Sequence, residues 1–226
     1  MSVLETSYDD RALAGGVITR DRARELLSQV MGFVAVTVGF AALGAYLGRN
    51  LSGAAGLVLF VGAFACIIGL HIAAAKGREQ LALGLLFGLG LLLGLAVAPV
   101  VADYAGADPS SLWQAAGETA AFTAAFGAFG YATRRDLSAW ARPLFWALLG
   151  LIVFGLAALF VSIPGSHIIY AGAGLGIFGA FTIYDFNRLR HEDPGSAIVI
   201  AASIFLDIFN VFWLLLGLFG GSRNPA

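Results

Sequence analysis

Residues 197–219 read AIVIAASIFLDIFNVFWLLLGLF, an apolar run that contains a single carboxylate, Asp207. The hydrocarbon core of a bilayer is about 30 Å thick, and a helix of ~20 apolar residues crosses it. An acidic side chain at the middle of such a helix costs roughly 2.5–3.5 kcal/mol on insertion scales, and it usually faces a polar interior that serves ions or protons. The run therefore predicts a transmembrane helix with a functional acid inside it.

The rest of the chain has the same character, because 59% of its 226 residues are hydrophobic and only 12% are charged. A soluble domain is typically about 45–50% apolar and 25% charged. Charged, Pro and Gly residues that end helices separate seven apolar runs. These runs are 27–47, 51–75, 81–101, 112–132, 144–162, 167–187 and 197–219. We predict an all-α, seven-transmembrane helical bundle, one membrane domain (1–226) with a polar N-terminal segment (1–25).

The basic residues indicate the orientation of this bundle. With seven spans, 11 of the 13 basic residues fall on one side of the membrane and 2 on the other. By the positive-inside rule the N-terminus is cytoplasmic and the C-terminus is outside. Residues 17–29 are basic and partly amphipathic, which favours a lead-in at the inner interface. The first 25 residues lack the features of a signal peptide, so we expect no cleavage. A composition rich in Ala, Gly and Arg favours a bacterial plasma membrane.

Glycine spacing indicates helix packing. The pairs Gly84/Gly88, Gly90/Gly94 and Gly172/Gly176 have the small-xxx-small spacing that lets helices approach closely. Residues 174–179 also match the dinucleotide pattern G-x-G-x-x-G, but the pattern binds nucleotides only between a strand and a helix. Inside an apolar helix it predicts packing.

Several other functions find no support in the sequence. Cys66 is the single cysteine, so neither a disulfide framework nor a cysteine metal site is expected. No zinc-protease, serine-nucleophile or phosphate-loop pattern is present. The one lysine, Lys76, lies in a loop, which excludes a retinal pigment. We expect no enzyme activity, no cofactor and no nucleic-acid partner.

Four short segments resemble a known family. They are IYDFNRL (183–189), FLDIFNVF (205–212), TRRDLS (133–138) and, more weakly, GLAVAP (94–99) at the end of span three. In this order they resemble the transmembrane Bax-inhibitor-motif family, including its bacterial YccA-like branch. The chain departs from the family pattern at Phe186-Asn187, where the family carries Thr-Gln, and at Gly217, where an arginine is frequent.

The resemblance implies a fold and a function. It implies a seventh helix surrounded by the other six, with Asp185 and Asp207 facing each other toward the cytoplasmic side. Members of the family are associated with a calcium leak that pH controls through this acid pair. Other members are associated with modulation of a membrane protease, and eukaryotic members with suppression of cell death.

Two carboxylates that meet in a water-poor site cannot both ionise cheaply, and their protons leave in coupled steps. A shared proton would hold the two helices together, whereas its loss would repel them or recruit a cation. Calcium takes six to eight oxygens, of which two aspartates supply at most four, so Asp185 and Asp207 would form only a weak calcium site. Asn210, three residues after Asp207, shares its helix face and is a candidate supporting ligand.

Each polar residue also has a simpler explanation. Asp185 is also consistent with an interfacial residue neutralised by Arg188 or Arg190, and Asp207 with a structural hydrogen bond between helices. Glu118 fits an outer vestibule or a helix-start acid that reaches the surface. His71 fits an aspartate partner or an ordinary buried histidine.

The sequence thus predicts a pH-sensitive calcium (cation) leak channel that an intramembrane pair of aspartates gates. Its expected partners are the lipid bilayer, calcium and protons. The alternative is a non-conducting membrane regulator that binds another membrane protein, such as a protease.

Overall fold

The computed structural model describes residues 2–51, 53–161, 165–192 and 194–221, and within them the chain forms seven α-helices. These are α1 (Ser2–Leu47), α2 (Gly53–Ala75), α3 (Glu79–Ala107), α4 (Pro109–Ala132), α5 (Ala141–Phe160), α6 (Ser166–Arg188) and α7 (Ala197–Gly221). No strand occurs in the described ranges. The expected all-α class is confirmed.

The helix ends follow local chemistry. Gly77 turns the chain between α2 and α3 with a φ of 67°, a conformation that glycine adopts without strain. Asp108 caps α4, since its carboxylate accepts hydrogen bonds from Ser110 and Ser111, and Pro109 occupies the first turn. The predicted breaks at Ile163-Pro164 and at Asp193 lie outside the described residues.

Two helices are longer than the predicted spans. The helix α3 contains Pro99 and continues past the predicted end of the third span at residue 101 to Ala107. The helix α1 runs without interruption from Ser2 through the predicted lead-in (17–29) and the first predicted span.

Within the described residues, six of the helices are long and apolar enough to cross a membrane. The exception is α4, whose sequence contains Gln114, Glu118 and several hydroxyl residues. Seven crossings and the orientation of the termini stay predictions.

The last helix is the centre of the bundle. It packs against α1, α2, α3, α4 and α6, and half of its most apolar stretch is buried, the largest share among the six apolar helices. By contrast, α5 packs mainly on α6, and only 6% of its apolar stretch is buried. The central position of α7 encloses the middle of the helix, where Asp207 lies.

Close backbone contact joins α1 to α3. A Cβ atom at Gly94 would overlap the carbonyl oxygen of Ala41, and one at Gly90 would lie 2.5 Å from the carbonyl oxygen of Thr37. The predicted packing role of Gly90 and Gly94 is confirmed.

The other two predicted glycine pairs are wrong. A Cβ atom at Gly84, Gly172 or Gly176 would meet no described atom within 4 Å, and one at Gly88 would make ordinary contact. Gly84, Gly172 and Gly176 therefore face away from neighbouring helices, whereas Gly88 makes only ordinary contact with Cys66 of α2. In α6 the close contacts instead involve Gly174 with Leu214, and Gly179 with the rings of Phe122 and Phe126.

Candidate functional site

Asp185 lies in the last turn of α6 and is only 3% exposed. Arg188, on the same helix face, donates from Nη1 to Oδ1 of Asp185 at 3.1 Å. The same guanidinium donates from Nε and Nη2 to the two carboxylate oxygens of Glu192, at 2.5 and 3.2 Å. One arginine is therefore shared between a buried carboxylate and a partly exposed one.

The interpretation of Asp185 as an interfacial residue neutralised by an arginine agrees with the structure in part. The predicted partner Arg188 is present, but the carboxylate is buried and not at an exposed surface. Arg190 takes no part in this ion pair, because its guanidinium donates to the backbone carbonyl of Tyr131.

Asp207 lies near the middle of α7 and is 5% exposed. Its carboxyl group is close enough to interact directly with the carboxyl of Asp185 and the hydroxyl of Thr182. Its Oδ2 atom is buried and has no hydrogen-bond partner in the described part of the chain. Most buried polar atoms in folded proteins do have a partner, so this oxygen needs an explanation.

The first turns of α7 cover the acid pair from one end of the bundle. Asp207 comes ten residues after the start of α7, or ~15 Å of helix. Between them lie the buried residues Ile200 and Ile204, which pack with Leu26 of α1 and Leu189 beyond α6 in one apolar cluster. The pair is therefore enclosed by hydrocarbon on that side, while Arg188 and Glu192 connect Asp185 to the solvent.

Thr182 is a site residue that the sequence analysis missed. It precedes Asp185 by three residues, which places both side chains on one face of α6. Thr182 is 1% exposed, and its hydroxyl donates to the carbonyl of Phe178 at 2.8 Å. The i, i+3 spacing places Thr182 on the face of Asp185, but spacing alone does not show that this face meets α7.

Asn187, noted above only as a departure from the family, organises the loop between α4 and α5. It is 2% exposed, and its Oδ1 accepts from the backbone N–H of Leu137 at 3.1 Å. Its amide nitrogen donates to the carbonyls of Thr133 and Arg135 at 2.9 and 3.0 Å, and to that of Gly130 at 3.4 Å. The side chain joins the end of α6, two residues after Asp185, to this loop.

The loop itself is held by a second short contact. The backbone N–H of Ser138 donates to Asp136 at 2.8 Å and lowers the pKa of that exposed carboxyl. The TRRDLS segment thus has a structural role beside the acid pair.

Replacement of Asn187 by alanine is expected to release this loop. The N–H of Leu137 would lose its acceptor, and a buried polar group left unpaired costs about 1–3 kcal/mol. Hydrogen exchange followed by mass spectrometry should show faster exchange at residues 133–140. Asn50→Ala, at an exposed turn, is the matched control and should leave the loop unchanged. Equal exchange rates in wild-type and Asn187→Ala protein would contradict this role.

The remaining predicted residues do not join the acid pair. The amide nitrogen of Asn210 donates to the carbonyl of Leu206 in its own helix at 2.7 Å, and its role as a supporting ligand stays a prediction. His71 is exposed, its Nδ1 contacts the carbonyl of Ile67, and no aspartate in the described part of the chain forms an ion pair with it. Glu118 is exposed on α4, which agrees with the surface interpretation.

The site contains few metal ligands. Among the described residues no group of three or more His, Cys, Asp or Glu side chains is placed to hold a metal ion. The side-chain oxygen atoms that act on Asp207 come from Asp185 and the Thr182 hydroxyl. This is fewer than the six to eight that calcium takes, so any ion here keeps water ligands.

Comparisons with known proteins agree with the resemblance seen in the sequence. A family model described as "Inhibitor of apoptosis-promoting Bax1" (Bax1-I) matches residues 23–224. The inner membrane protein YbhL of Escherichia coli K12 is 26% identical over 236 residues, covering 95% of this chain and 100% of YbhL. A Helicobacter pylori protein is 29% identical over 85% of this chain and 88% of its own length.

A third relative is the Golgi anti-apoptotic protein of vaccinia virus (strain Lister), which is 34% identical over 67% of this chain and 64% of its own length. The apolar helices and the bacterial relatives indicate a multi-pass protein of the inner (plasma) membrane. Because the family model covers most of the chain, the protein belongs to the Bax inhibitor (Bax1-I) family.

Proposed function

We propose that this protein is a pH-sensitive calcium (cation) leak channel, gated by the pair Asp185 and Asp207. The observation that carries the proposal is the buried carboxyl of Asp207, which lies next to that of Asp185 and leaves one oxygen without a hydrogen-bond partner in the described chain. A proton shared between the two groups would satisfy this oxygen and join α6 to α7.

The balance of charge explains why this proton would act as a gate. Arg188 is the only cation paired with acids here in the described chain, and it is shared between Asp185 and Glu192, so Asp207 has no cation of its own. When the shared proton leaves, a second negative charge appears in an enclosed site. The two helices then repel each other or a cation enters, so the ion flux rises with pH.

A weak site suits this role. An ion that must pass has to bind well enough to enter and weakly enough to leave. The acid pair offers few oxygens, and calcium bound there would exchange. The proposal includes seven crossings with a cytoplasmic N-terminus, α4 among them, and no catalytic activity.

The test is a flux measurement on the full-length protein in liposomes that contain a calcium-sensitive dye. Calcium entry should be several-fold faster at pH 8 than at pH 6, and protein-free liposomes should show neither the flux nor its pH dependence. The double variant Asp185→Asn/Asp207→Asn should lose the pH dependence. A flux that is absent, or that ignores both replacements, would refute the channel.

The alternative is a non-conducting regulator that binds another membrane protein, such as a protease. It is favoured by the name of the viral relative, an anti-apoptotic protein, and by the exposed apolar face of α5, where Trp146 and Phe160 are 67% and 88% exposed. Absence of flux from correctly folded protein is the result that would favour it.

A further inference from the structure

A large apolar cleft opens between α1 and α4, on the flank of the bundle away from α5. Its volume is about 1150 Å³, slightly above the roughly 300–1,000 Å³ range of pockets that bind small molecules. Small side chains line its walls, such as Ala42 on α1, Ala105 on α3 and Ala120 on α4, and aromatic rings of α7 such as Phe209 line its floor.

The packing of the helices explains why this cleft exists. The close glycine contacts seat α1 on α3, whereas α4 packs on α6 and α7. A space is therefore left between α1 and α4 above the central helix. In a membrane, an apolar cleft of this size that opens sideways would be filled by hydrocarbon, since its walls offer water few partners.

A cation stands at one end of the cleft. Arg49 follows the last residue of α1 by two positions and lines the cavity, together with Tyr46. Its guanidinium lies 4.5 Å from the centre of the Tyr46 ring, and Arg49 forms no ion pair with any described residue. Arg is the side chain best suited to bind phosphate, and exposed Tyr is typical of the membrane interface.

We propose that the cleft binds one phospholipid of the surrounding bilayer, with an acyl chain between α1 and α4 and its phosphate on Arg49. Two observations support a lipid over other occupants. The cleft is apolar along its length and ends at a guanidinium without an ion-pair partner in the described chain. This arrangement complements a phospholipid, whose apolar acyl chains end at a negatively charged phosphate. The walls of the cleft on α1, α3 and α4 consist largely of alanine, and these small side chains leave the space open for an acyl chain.

The probe is phosphatidylglycerol with a photoreactive diazirine on one acyl chain, added at low mole fraction to liposomes that contain the full-length protein. Labelled peptides are measured by mass spectrometry. The exposed face of α5, which any membrane lipid touches, serves as the internal reference. Residues 38–49 and 116–124 should be labelled about tenfold more than α5, a factor that corresponds to ~1.4 kcal/mol.

Two variants test the two ends of the site separately. Arg49→Gln should reduce cleft labelling severalfold by removing the phosphate contact. Ala120→Phe should reduce it by filling the cleft, because Ala120 is exposed and lines the cavity. The matched controls are Arg134→Gln and Ala121→Phe, exposed residues that do not line the cleft, and both should label as wild type does.

Three outcomes would overturn the proposal. Cleft labelling that only equals labelling of α5 would show ordinary lipid contact. Labelling that Arg49→Gln and Ala120→Phe leave unchanged would place the lipid elsewhere. Protein–protein crosslinks through residues 116–124, in place of lipid adducts, would show that a helix of another copy or of another protein occupies the cleft.

Discussion

Replacement of Asp207 by asparagine should remove the pH dependence of calcium flux. Wild-type protein in liposomes is expected to conduct about tenfold faster at pH 8 than at pH 6, a ratio equivalent to ~1.4 kcal/mol. In the variant the two rates should be equal and low. The physical reason is that the asparagine amide donates a permanent hydrogen bond to Asp185, as a shared proton would, and cannot lose it.

Asp185→Asn should behave differently, because the two acids are not equivalent. Asp185 already has Arg188 as a partner, whereas the Asp207 oxygen Oδ2 has none in the described chain. Without the carboxylate of Asp185, the carboxyl group of Asp207 can still gain and lose a proton, while Arg188 keeps its ion pair with Glu192. The flux should therefore keep a pH dependence, with a changed midpoint.

Glu118→Gln is the matched control for these measurements, since it also removes one acid from an apolar chain but at an exposed position on α4. Its flux should equal the wild-type flux at both pH values. If Asp207→Asn conducts with the wild-type pH profile, the acid pair is not the gate, and the buried oxygen needs another explanation.

Among replacements of a single glycine by alanine, Gly94→Ala is expected to cause the largest loss of stability. The new Cβ atom would overlap the backbone carbonyl of Ala41, and neither backbone can yield without moving a whole helix. Overpacking of a well-packed interior typically costs ~1–3 kcal/mol, and a clash with backbone lies at the upper end. Thermal unfolding in detergent should show a clearly lower midpoint.

Gly84→Ala is the control for this experiment, because Gly84 lies on the same helix and a Cβ atom there would meet no described atom within 4 Å. Alanine is the better helix former by roughly 1 kcal/mol, so this variant should be as stable as wild type or slightly more stable. Equal midpoints for Gly94→Ala and Gly84→Ala would show that α1 and α3 do not meet as closely as the structure has them.

The positions of the helices could be predicted from the sequence, but the directions of their faces could not. Six of the seven helices begin within a few residues of the predicted spans, because proline, glycine and charged residues interrupt the apolar runs. Gly172 and Gly176 were expected to pack, yet they face away from other helices while Gly174 packs on Leu214. A helix that is apolar on all sides gives no sign of which stripe meets a neighbour.

The two aspartates could be singled out from the sequence because a carboxylate inside an apolar run is expensive and is usually functional. That the two acids meet was implied only by the family resemblance. The neighbours of the pair were harder to identify. Asn210 shares a face with Asp207, but an amide in an apolar helix bonds most easily to the carbonyl one turn earlier, which for Asn210 is that of Leu206. Thr182 and Asn187 make contacts that depend on how α6 is rotated, and residue spacing alone does not fix that rotation.

Arg188 gives the buried pair a contact with the aqueous phase. Its bond to Asp185 lies in the interior, whereas the side chain of Glu192, its other partner, is 33% exposed. Dissolved salt weakens attraction between exposed charges and hardly reaches buried ones. A rise in ionic strength on that side of the membrane therefore weakens the ion pair between Arg188 and Glu192 first. The weaker this ion pair is, the more strongly Arg188 attracts the carboxylate of Asp185.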